Sequence, residues 1–382
     1  MAGDICVSCL PMPEILHIID ANAGWDMLRQ LSTITLPRET IASLGVAALE
    51  PSLQGRVVAV HRPLGLDALA SPQKTLAHAD VVHVWSITAL DAADSWACHY
   101  QCPLVLSLPC LPQQKKVKKL LEYFPRRAEG RHLPGKKFTI TVPDQPTLDA
   151  MLKAGFPNES LRLLPPPQDD ISNRPANREK VRAELELAAT DILLLGGGEM
   201  VRQAGQKFAI WAHAILRQVI PNIRLILPGG GNHADSVKYF AGTTGYDSEI
   251  YFTQNRYTFE EVLAASDIAT FLFDSDCGLA ALAGAMQAGL PIVASEVPQI
   301  KYTLSCTDVP GGTGYCGLLV PPEIPRQGAA AVLELIEKPR LAGKLGQAAK
   351  QNAARLFSRQ KSRQILDSIY CGRLIETLIG AN

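Results

Sequence analysis

Short aliphatic runs that alternate with segments of helical periodicity constrain the fold of this chain more than any other feature. Residues 14–20 (EILHIID), 81–85 (VVHVW) and 104–108 (LVLSL) are such runs, and the segments between runs carry apolar residues at helical spacing, as in 145–154. Strands dominated by Val, Ile and Leu are typical of a parallel sheet that is covered on both faces. The alternation therefore predicts an α/β fold in which right-handed crossovers connect the strands of an open sheet.

A proline-rich break divides this alternation into two series. Pro165, Pro166 and Pro167 are followed by a polar stretch, which is typical of an interdomain linker. A second series begins beyond it, so the sequence predicts two α/β domains that face each other across a cleft. The predicted ranges are 1–167 for the first domain, 168–180 for the linker, 181–355 for the second domain and 356–382 for a C-terminal helix that crosses back to the first domain.

Composition excludes several classes of protein. The 37 Lys and Arg residues balance 37 Asp and Glu residues, which argues against a protein whose whole surface binds nucleic acid. No run approaches the roughly 20 apolar residues of a membrane-spanning helix, and residues 1–12 lack the basic flank and apolar core of a signal peptide, so we expect a cytoplasmic location. Cys6 and Cys9 have C-x-x-C spacing, but no second pair accompanies them, and no metal site is expected.

Three loops that each follow a strand and precede a helix are the candidate ligand sites. They are Gly196 to Gly198, Gly229 to Gly231 and Asp274 to Gly278. Ligands of open α/β sheets gather at such loops, where free backbone amides face outward and glycine lets a phosphate approach. Tight turns also need glycine for steric reasons alone, so both interpretations stay open. Neither glycine triplet matches the dinucleotide fingerprint or the P-loop, which disfavours a nicotinamide enzyme and an ATPase.

The order of segments in the second half resembles the donor domain of glycosyltransferase family 4, which has the GT-B fold. Residues 285–294 (AMQAGLPIVA) are similar to the family's run E-A-M-A-x-G-x-P-V-V-A, and residues 317–322 (GLLVPP) to its G-L-L-V-P-P. Residues 264–268 (AASDI) resemble its "A-D" strand entry, and residues 80–83 (DVVH) its D-V-V-H in the first half. The resemblance implies a GT-B architecture of two Rossmann-like, doubly wound domains facing across a cleft.

The resemblance also implies an activity and a set of site residues. It implies transfer of a sugar, with retention of configuration, from a nucleotide-sugar donor to an unknown glycan, lipid or small-molecule acceptor, without a bound metal or further cofactor. The candidate catalytic residues are Asp276 and His83, and Gly24 and Trp25 lie on the acceptor side. The candidate donor-binding residues are Gly197, Gly198, Arg202, Lys207, Gly229, Asp274, Ser275, Cys277, Gly278, Leu279 and Ala280.

Several polar positions of the family are replaced here. Its Arg and Lys fall on Glu199 and Ala204, its paired glutamates on Asp276 and Gly284, and its acceptor-side His on Pro109. A diphosphate leaving group needs positive charge, and Arg202 and Lys207, three residues beyond the lost cations, are the candidates for it. The alternative function is a catalytically degenerate GT-B protein that serves as a sugar-, nucleotide- or partner-binding scaffold. His83 as a structural core residue and Gly284 as a close-packing residue are the corresponding structural alternatives.

A basic segment from Lys115 to Lys137 stands apart in a chain whose total formal charge is zero. Nine Lys and Arg residues face two glutamates there, interleaved with Leu120, Leu121, Tyr123 and Phe124. This composition predicts an amphipathic surface segment that makes peripheral contact with an anionic membrane. An exposed loop whose charges aid solubility is the alternative.

Overall fold

The computed structural model describes residues 13–20, 25–34, 39–44, 57–59, 78–128, 138–168, 174–254, 256–275, 277–306 and 314–371. These residues form two parallel α/β domains, so the α/β prediction is confirmed. Both sheets are covered by helices on their two faces, as the aliphatic strands predict.

The first domain is built on a seven-stranded sheet. Its strands are β1 (Ile15–Asp20), β2 (Thr40–Leu44), β3 (Val57–Ala59), β4 (Val81–Val84), β5 (Leu104–Ser107), β6 (Phe138–Val142) and β7 (Leu161–Leu163). Its helices are α1 (Trp25–Ile34), α2 (Leu90–Tyr100), α3 (Gln114–Ala128) and α4 (Gln145–Lys153). The strand order β3-β2-β1-β4-β5-β6-β7 reverses between β1 and β4, and such a reversal opens a crevice at the carboxyl ends of the strands.

The second domain is built on a six-stranded sheet with order β10-β9-β8-β11-β12-β13. Its strands are β8 (Ile192–Gly196), β9 (Ile223–Leu227), β10 (Ile250–Phe252), β11 (Ile268–Phe271), β12 (Ile292–Ser295) and β13 (Leu318–Val320). Its helices are α5 (Arg174–Glu184), α6 (Gln206–Arg217), α7 (Ala234–Gly242), α8 (Phe259–Ala265), α9 (Ala280–Gln287), α10 (Pro298–Leu304), α11 (Pro325–Glu337) and α12 (Pro339–Leu356). The reversal here lies between β8 and β11.

The predicted linker extends too far into the second domain. Helix α5 begins at Arg174, within the range 168–180, and its Arg178 and Arg182 bind the carboxylate of Asp267 at 2.6 and 3.2 Å. Asp267 also accepts from the backbone N–H of Leu193 at 2.8 Å. Helix α5 is therefore anchored to the start of β8 and β11 and is part of the second domain.

The last described helix, α13 (Arg359–Tyr370), packs on the first domain. Leu366 and Tyr370 are buried in one core cluster with residues of β1, α1 and β4. The two connections between the domains run side by side, because Gln168 N–H donates to Phe357 O at 2.9 Å and Ser362 Oγ donates to Pro165 O at 3.0 Å. The end of the described chain therefore completes the core of the first domain.

Candidate functional site

The turn after β8 lies where the order of the second sheet reverses. Gly197 has φ +63°, and its N–H donates to Thr270 O of β11 at 2.8 Å. Gly198 is buried, and its N–H makes no hydrogen bond to another residue of the described ranges. The turn therefore uses one amide to hold the sheet edge and leaves the next one available to a ligand.

Gly229 lets the turn after β9 lock against the turn after β8. A Cβ at Gly229 would lie 2.0 Å from Gly198 O, whereas a Cβ at Gly230 would meet no atom within 4 Å. Met200 N–H donates to Gly230 O at 2.8 Å and completes the contact. The structure thus gives Gly229 a steric role, and any contribution to ligand binding is indirect through Gly198.

The entrance of α6 lies against the loop that follows β11. Gly205 has φ +64°, and a Cβ there would lie 1.8 Å from Leu272 O. Asp274 N–H donates to Gln203 O at 3.1 Å, so the loop after β11 is joined to the turn that precedes α6. Two of the predicted loops therefore meet at one sheet edge.

Gln206 is a residue of this region that the sequence analysis did not identify. It is 2% exposed, its side-chain N–H donates to Glu199 O, and its amide lies beside Gly197. Its position as the first residue of a helix after a glycine turn is the signal that points to it. Gln206 holds the backbone of the turn in place.

The two predicted cations have different surroundings. Arg202 is exposed in the short 3-10 turn Arg202–Ala204 at the sheet edge, where a ligand can reach it. Lys207 instead places its Nζ 5.8 Å from the ring centroid of Phe240, the seventh residue of α7. Because crossover helices run antiparallel to the strands, Phe240 lies away from the carboxyl edge, and the prediction of Lys207 at the diphosphate is not supported by its position. Ala204, at the family's Lys position, is buried.

The described residues of the loop before α9 offer mainly backbone groups to a ligand. Cys277, Leu279 and Ala280 are 5%, 1% and 0% exposed, so their side chains face the core and only main-chain groups are left for a ligand. Ser275 Oγ donates to Asp274 Oδ1 at 2.9 Å on the exposed side of the loop. Gly278 is buried next to the start of α9, whose first amides have no partner within the helix. Asp276 lies outside the described residues.

Neighbouring side chains occupy the space beside Gly284. A Cβ there would lie 2.8 Å from Phe259 Cε1, 3.1 Å from Leu263 Cδ1 and 3.3 Å from Gln168 Oε1. The glycine lets α9 approach α8 and the interdomain connection closely. A side chain at this position would force Phe259, Leu263 or Gln168 to shift, and with glycine here the second carboxylate of the family's pair is absent.

His83 has no surface that a substrate can contact. Its ring is 0% exposed, with Nδ1 2.6 Å from Tyr370 Oη and Nε2 2.8 Å from Ser107 Oγ, and it stacks on Trp85 at 4.3 Å. Burial, with smaller contributions from His17 and Arg363, holds the pKa of His83 well below its usual value. Both nitrogens of His83 are engaged inside the core, which favours the structural alternative over a catalytic role.

Of the two residues predicted on the acceptor side, Trp25 is the first residue of α1, and Gly24 lies outside the described residues. Four residues on, Arg29 donates to Glu260 Oε1 of α8 at 2.9 Å, and its guanidinium lies 4.6 Å from the ring centroid of Phe259. Burial alone would raise the pKa of Glu260, but the charge and hydrogen bond of Arg29, together with smaller hydrogen bonds from the Glu260 backbone and Thr258, outweigh it and lower the pKa. Helix α1 of the first domain is thus in contact with the second domain beside α9.

The basic segment is helical up to Ala128. In α3, Lys115, Lys116, Lys118 and Lys119 are exposed and Leu120 is 1% exposed, which gives the helix a charged outer face and an apolar inner one. Lys119 Nζ lies 3.4 Å from Asp91 Oδ2. Residues 129–137 lie outside the described residues. Among the described helices, none has the length and apolar character needed to cross a bilayer.

Comparison with known proteins identifies one family in the second domain. Residues 177–352, slightly less than half of the chain, match the sequence model of the family Glycosyl transferases group 1. No curated protein matches the chain at a significant level.

Solved glycosyltransferase structures resemble nearly the whole chain. Alr3699/HepE of Anabaena in complex with UDP and glucose has a TM-score of 0.75 at 18% identity over 94% of this chain and 100% of that chain, and its complex with UDP-glucose gives the same values. A glycosyltransferase from Rickettsia africae ESF-5 has a TM-score of 0.69 at 12% identity over 96% of this chain and 100% of that chain. Sucrose-phosphate synthase (tll1590) from Thermosynechococcus elongatus has a TM-score of 0.65 at 17% identity over 94% of this chain and 98% of that chain. These likenesses show that the chain has the GT-B fold, with two Rossmann-like domains.

Proposed function

We propose that this protein is a glycosyltransferase of the family 4 type that moves a sugar from a nucleotide-diphosphate sugar to an acceptor with retention of configuration. The observation that carries the proposal is the carboxyl edge of the second sheet, where the Gly197–Gly198 turn holds β11 and the Arg202 turn is joined to Asp274, in the loop that leads to α9. The family match to residues 177–352 supports it, as do the UDP and UDP-glucose complexes of a protein with the same fold.

The proposed donor site acts through backbone and one cation. The amides of Gly198, Gly278, Leu279 and Ala280, with Arg202, face the diphosphate, whose negative charge grows as the sugar leaves. Preorganised amides need no rearrangement as that charge develops. We include no metal or further cofactor in the site.

The acceptor face is proposed on the first domain. Gly24 and Trp25 follow β1 in the sequence, and Asp276 is the remaining carboxylate of the family's pair. We assign Asp276, with Asp274 and Ser275, to the donor sugar or ribose. Closure of the cleft brings the two faces together.

We further propose that the protein acts in the cytoplasm and touches anionic lipid through Lys115 to Lys137. The exposed lysines of α3 support this. Changing Lys115, Lys116, Lys118 and Lys119 together to Gln should abolish co-sedimentation with vesicles that contain phosphatidylserine. The matched control changes Lys153, Lys344, Lys350 and Lys361, which are also exposed, and should leave it intact. Equal loss of co-sedimentation in both variants would show that binding depends only on the net charge of the protein and not on α3.

Calorimetric titration with UDP, GDP and ADP tests the proposed function. One of them should bind, and Arg202→Gln should weaken it by about fivefold, the effect of one partly solvated charge-assisted hydrogen bond. Arg340→Gln, an equal charge change on the exposed face of α12, is the control. Absence of binding by all three nucleotides would overturn the proposal.

The second candidate function is the degenerate scaffold, and one observation favours it. Ala204 and Gly284 occupy the family's Lys and Glu positions as buried packing residues, so the replaced side chains cannot be restored by rotation of a neighbour. Nucleotide binding without hydrolysis or transfer from any of a panel of nucleotide sugars would identify this function.

A further inference from the structure

One side-chain amide connects the proposed donor loop to the other domain. Gln299, the second residue of α10, is 0% exposed. Its Oε1 accepts from the backbone N–H of Cys277 at 3.2 Å, and its Nε2 donates to Asp144 Oδ2 at 2.6 Å. Cys277 belongs to the second domain and Asp144 to the first, so Gln299 spans the boundary between them.

Asp144 is itself held firmly in the first domain. It is the N-cap of α4, with φ −155°, and its Oδ1 accepts from Thr147 N–H at 2.8 Å. One carboxylate oxygen therefore fixes its own helix and the other reaches the second domain. Burial raises the pKa of Asp144, while the hydrogen bonds from Gln299 and Thr147 oppose that rise.

The polarity of this bridge requires a glutamine. Position 299 must present an acceptor to the Cys277 amide and a donor to a carboxylate, and a primary amide has one of each. A glutamate would place one carboxylate against another in a buried site, and an aliphatic residue would leave the Cys277 amide and Asp144 Oδ2 without this partner. The hydrogen-bonding groups of Gln299 are thus complementary to those of Asp144, which is 155 residues away in the sequence.

We propose that Gln299 is a positioning residue that makes the backbone conformation from Cys277 to Leu279 depend on how the first domain packs against the second. The consequence for donor binding rests on the proposed function, but the dependence itself does not. Because the Cys277 amide is committed to Gln299, a bound phosphate is met by the amides that follow it at the start of α9. The packing of the first domain against the second then affects nucleotide affinity, and nucleotide binding affects that packing to the same extent.

Reversing the polarity of the bridge tests the proposal. Asp144→Asn keeps the helix cap, because asparagine caps as well as aspartate, but it turns an N–H toward Gln299 Nε2. Gln299→Glu turns a carboxylate toward Asp144. In the double variant the asparagine N–H donates to the glutamate, which still accepts from Cys277. Gln347→Glu, on the exposed face of α12, is the control for the charge.

The primary readout is hydrogen exchange of the Cys277, Gly278 and Leu279 amides in the whole protein without ligand. Each single variant should raise exchange of the Cys277 amide by about tenfold, and the double variant should return it to within about threefold of the wild type. A double variant that exchanges as fast as the sum of the single effects would overturn the proposal. So would single variants that leave the exchange unchanged.

Nucleotide affinity is the second readout and separates this proposal from the proposed function. If UDP, GDP or ADP binds, each single variant should weaken it by about fivefold and the double variant should restore it. Restoration of exchange without any change in affinity would overturn the link to donor binding. A wild-type protein that binds none of the three would overturn the proposed function, while the exchange cycle would still decide on Gln299.

Discussion

Tyr370 Oη lies 2.6 Å from His83 Nδ1, although 287 positions separate the two residues in the chain. Both are buried, and burial raises the pKa of Tyr370 and lowers that of His83. Both groups are therefore neutral at pH 7, and the contact is a hydrogen bond between neutral partners. It fastens α13 into the sheet of the first domain.

Removal of the Tyr370 hydroxyl should destabilise the first domain. Tyr370→Phe leaves His83 Nδ1 buried without this partner, which should lower the free energy of unfolding by about 1–3 kcal/mol. Urea denaturation followed by tryptophan fluorescence measures it, because Trp85 stacks on His83. Tyr239→Phe removes the same atom from a residue that is 79% exposed and should change nothing. Equal midpoints for the two variants would contradict this account.

Asp267 should carry most of the attachment of α5. Asp267→Asn keeps the shape but removes the charge that Arg178 and Arg182 share, and the three groups are only partly screened by water. We expect a loss of about 2 kcal/mol in the stability of the second domain by chemical denaturation. Asp247→Asn, at an exposed position, is the control. A loss below about 0.5 kcal/mol would show that backbone carbonyls alone satisfy the two arginines, namely those of Ala264, Ala265 and Ser266 for Arg178 and those of Ala188, Ala265 and Asp191 for Arg182.

The order of most strands and helices is predictable from the sequence because buried parallel strands are aliphatic runs. Strand β2 (TIASL) was not predicted, since Thr40 and Ser43 interrupt the apolar run, yet it pairs with β1 along its whole length. The second domain also begins earlier than the predicted residue 181, at the start of α5, because the polar residues of α5 resemble those of a linker.

The candidate site was predictable only where it is built from local features. Glycines at strand ends located the loops around Gly197 and Gly229. The charge of Lys207 does not determine where its side chain points, and the side chain lies over Phe240. The environment of His83 depends on Tyr370, and no local sequence pattern connects Tyr370 to β4. Gln299 joins Cys277 and Asp144 through contacts of long sequence separation, which periodicity and spacing do not encode.

Adjacent glycines should respond differently to the same substitution. Gly229→Ala places a Cβ 2.0 Å from Gly198 O, a backbone atom that cannot turn aside, so the two turns must separate. We expect a loss of more than about 2 kcal/mol in stability and loss of nucleotide binding. Gly230→Ala meets no atom within 4 Å and should leave both unchanged. Thermal unfolding and UDP titration of the two variants measure the difference, and similar behaviour would contradict the interlocked turns.

His213 should make the second domain sensitive to acid. It is 0% exposed on α6, and burial lowers the pKa of its imidazole to about 4. Its stabilising contribution is complete above the unfolded pKa of about 6.5 and is lost as the pH falls toward 4, because the unfolded chain takes up the proton first. At pH 5 the loss should be about 2 kcal/mol relative to pH 8.

Replacing the imidazole should flatten that dependence. His213→Leu gives a side chain that does not titrate in a position that already excludes water, so unfolding free energies of the second domain at pH 5 and pH 8 should differ by about 2 kcal/mol less than in the wild type. His99→Leu, at an exposed position of α2, should keep the wild-type dependence. The buried His83 lies in the first domain and contributes in the same direction, so the two domains are followed separately. If the unfolding free energy of His213→Leu depends on pH as strongly as that of the wild type, the acid sensitivity comes from other groups.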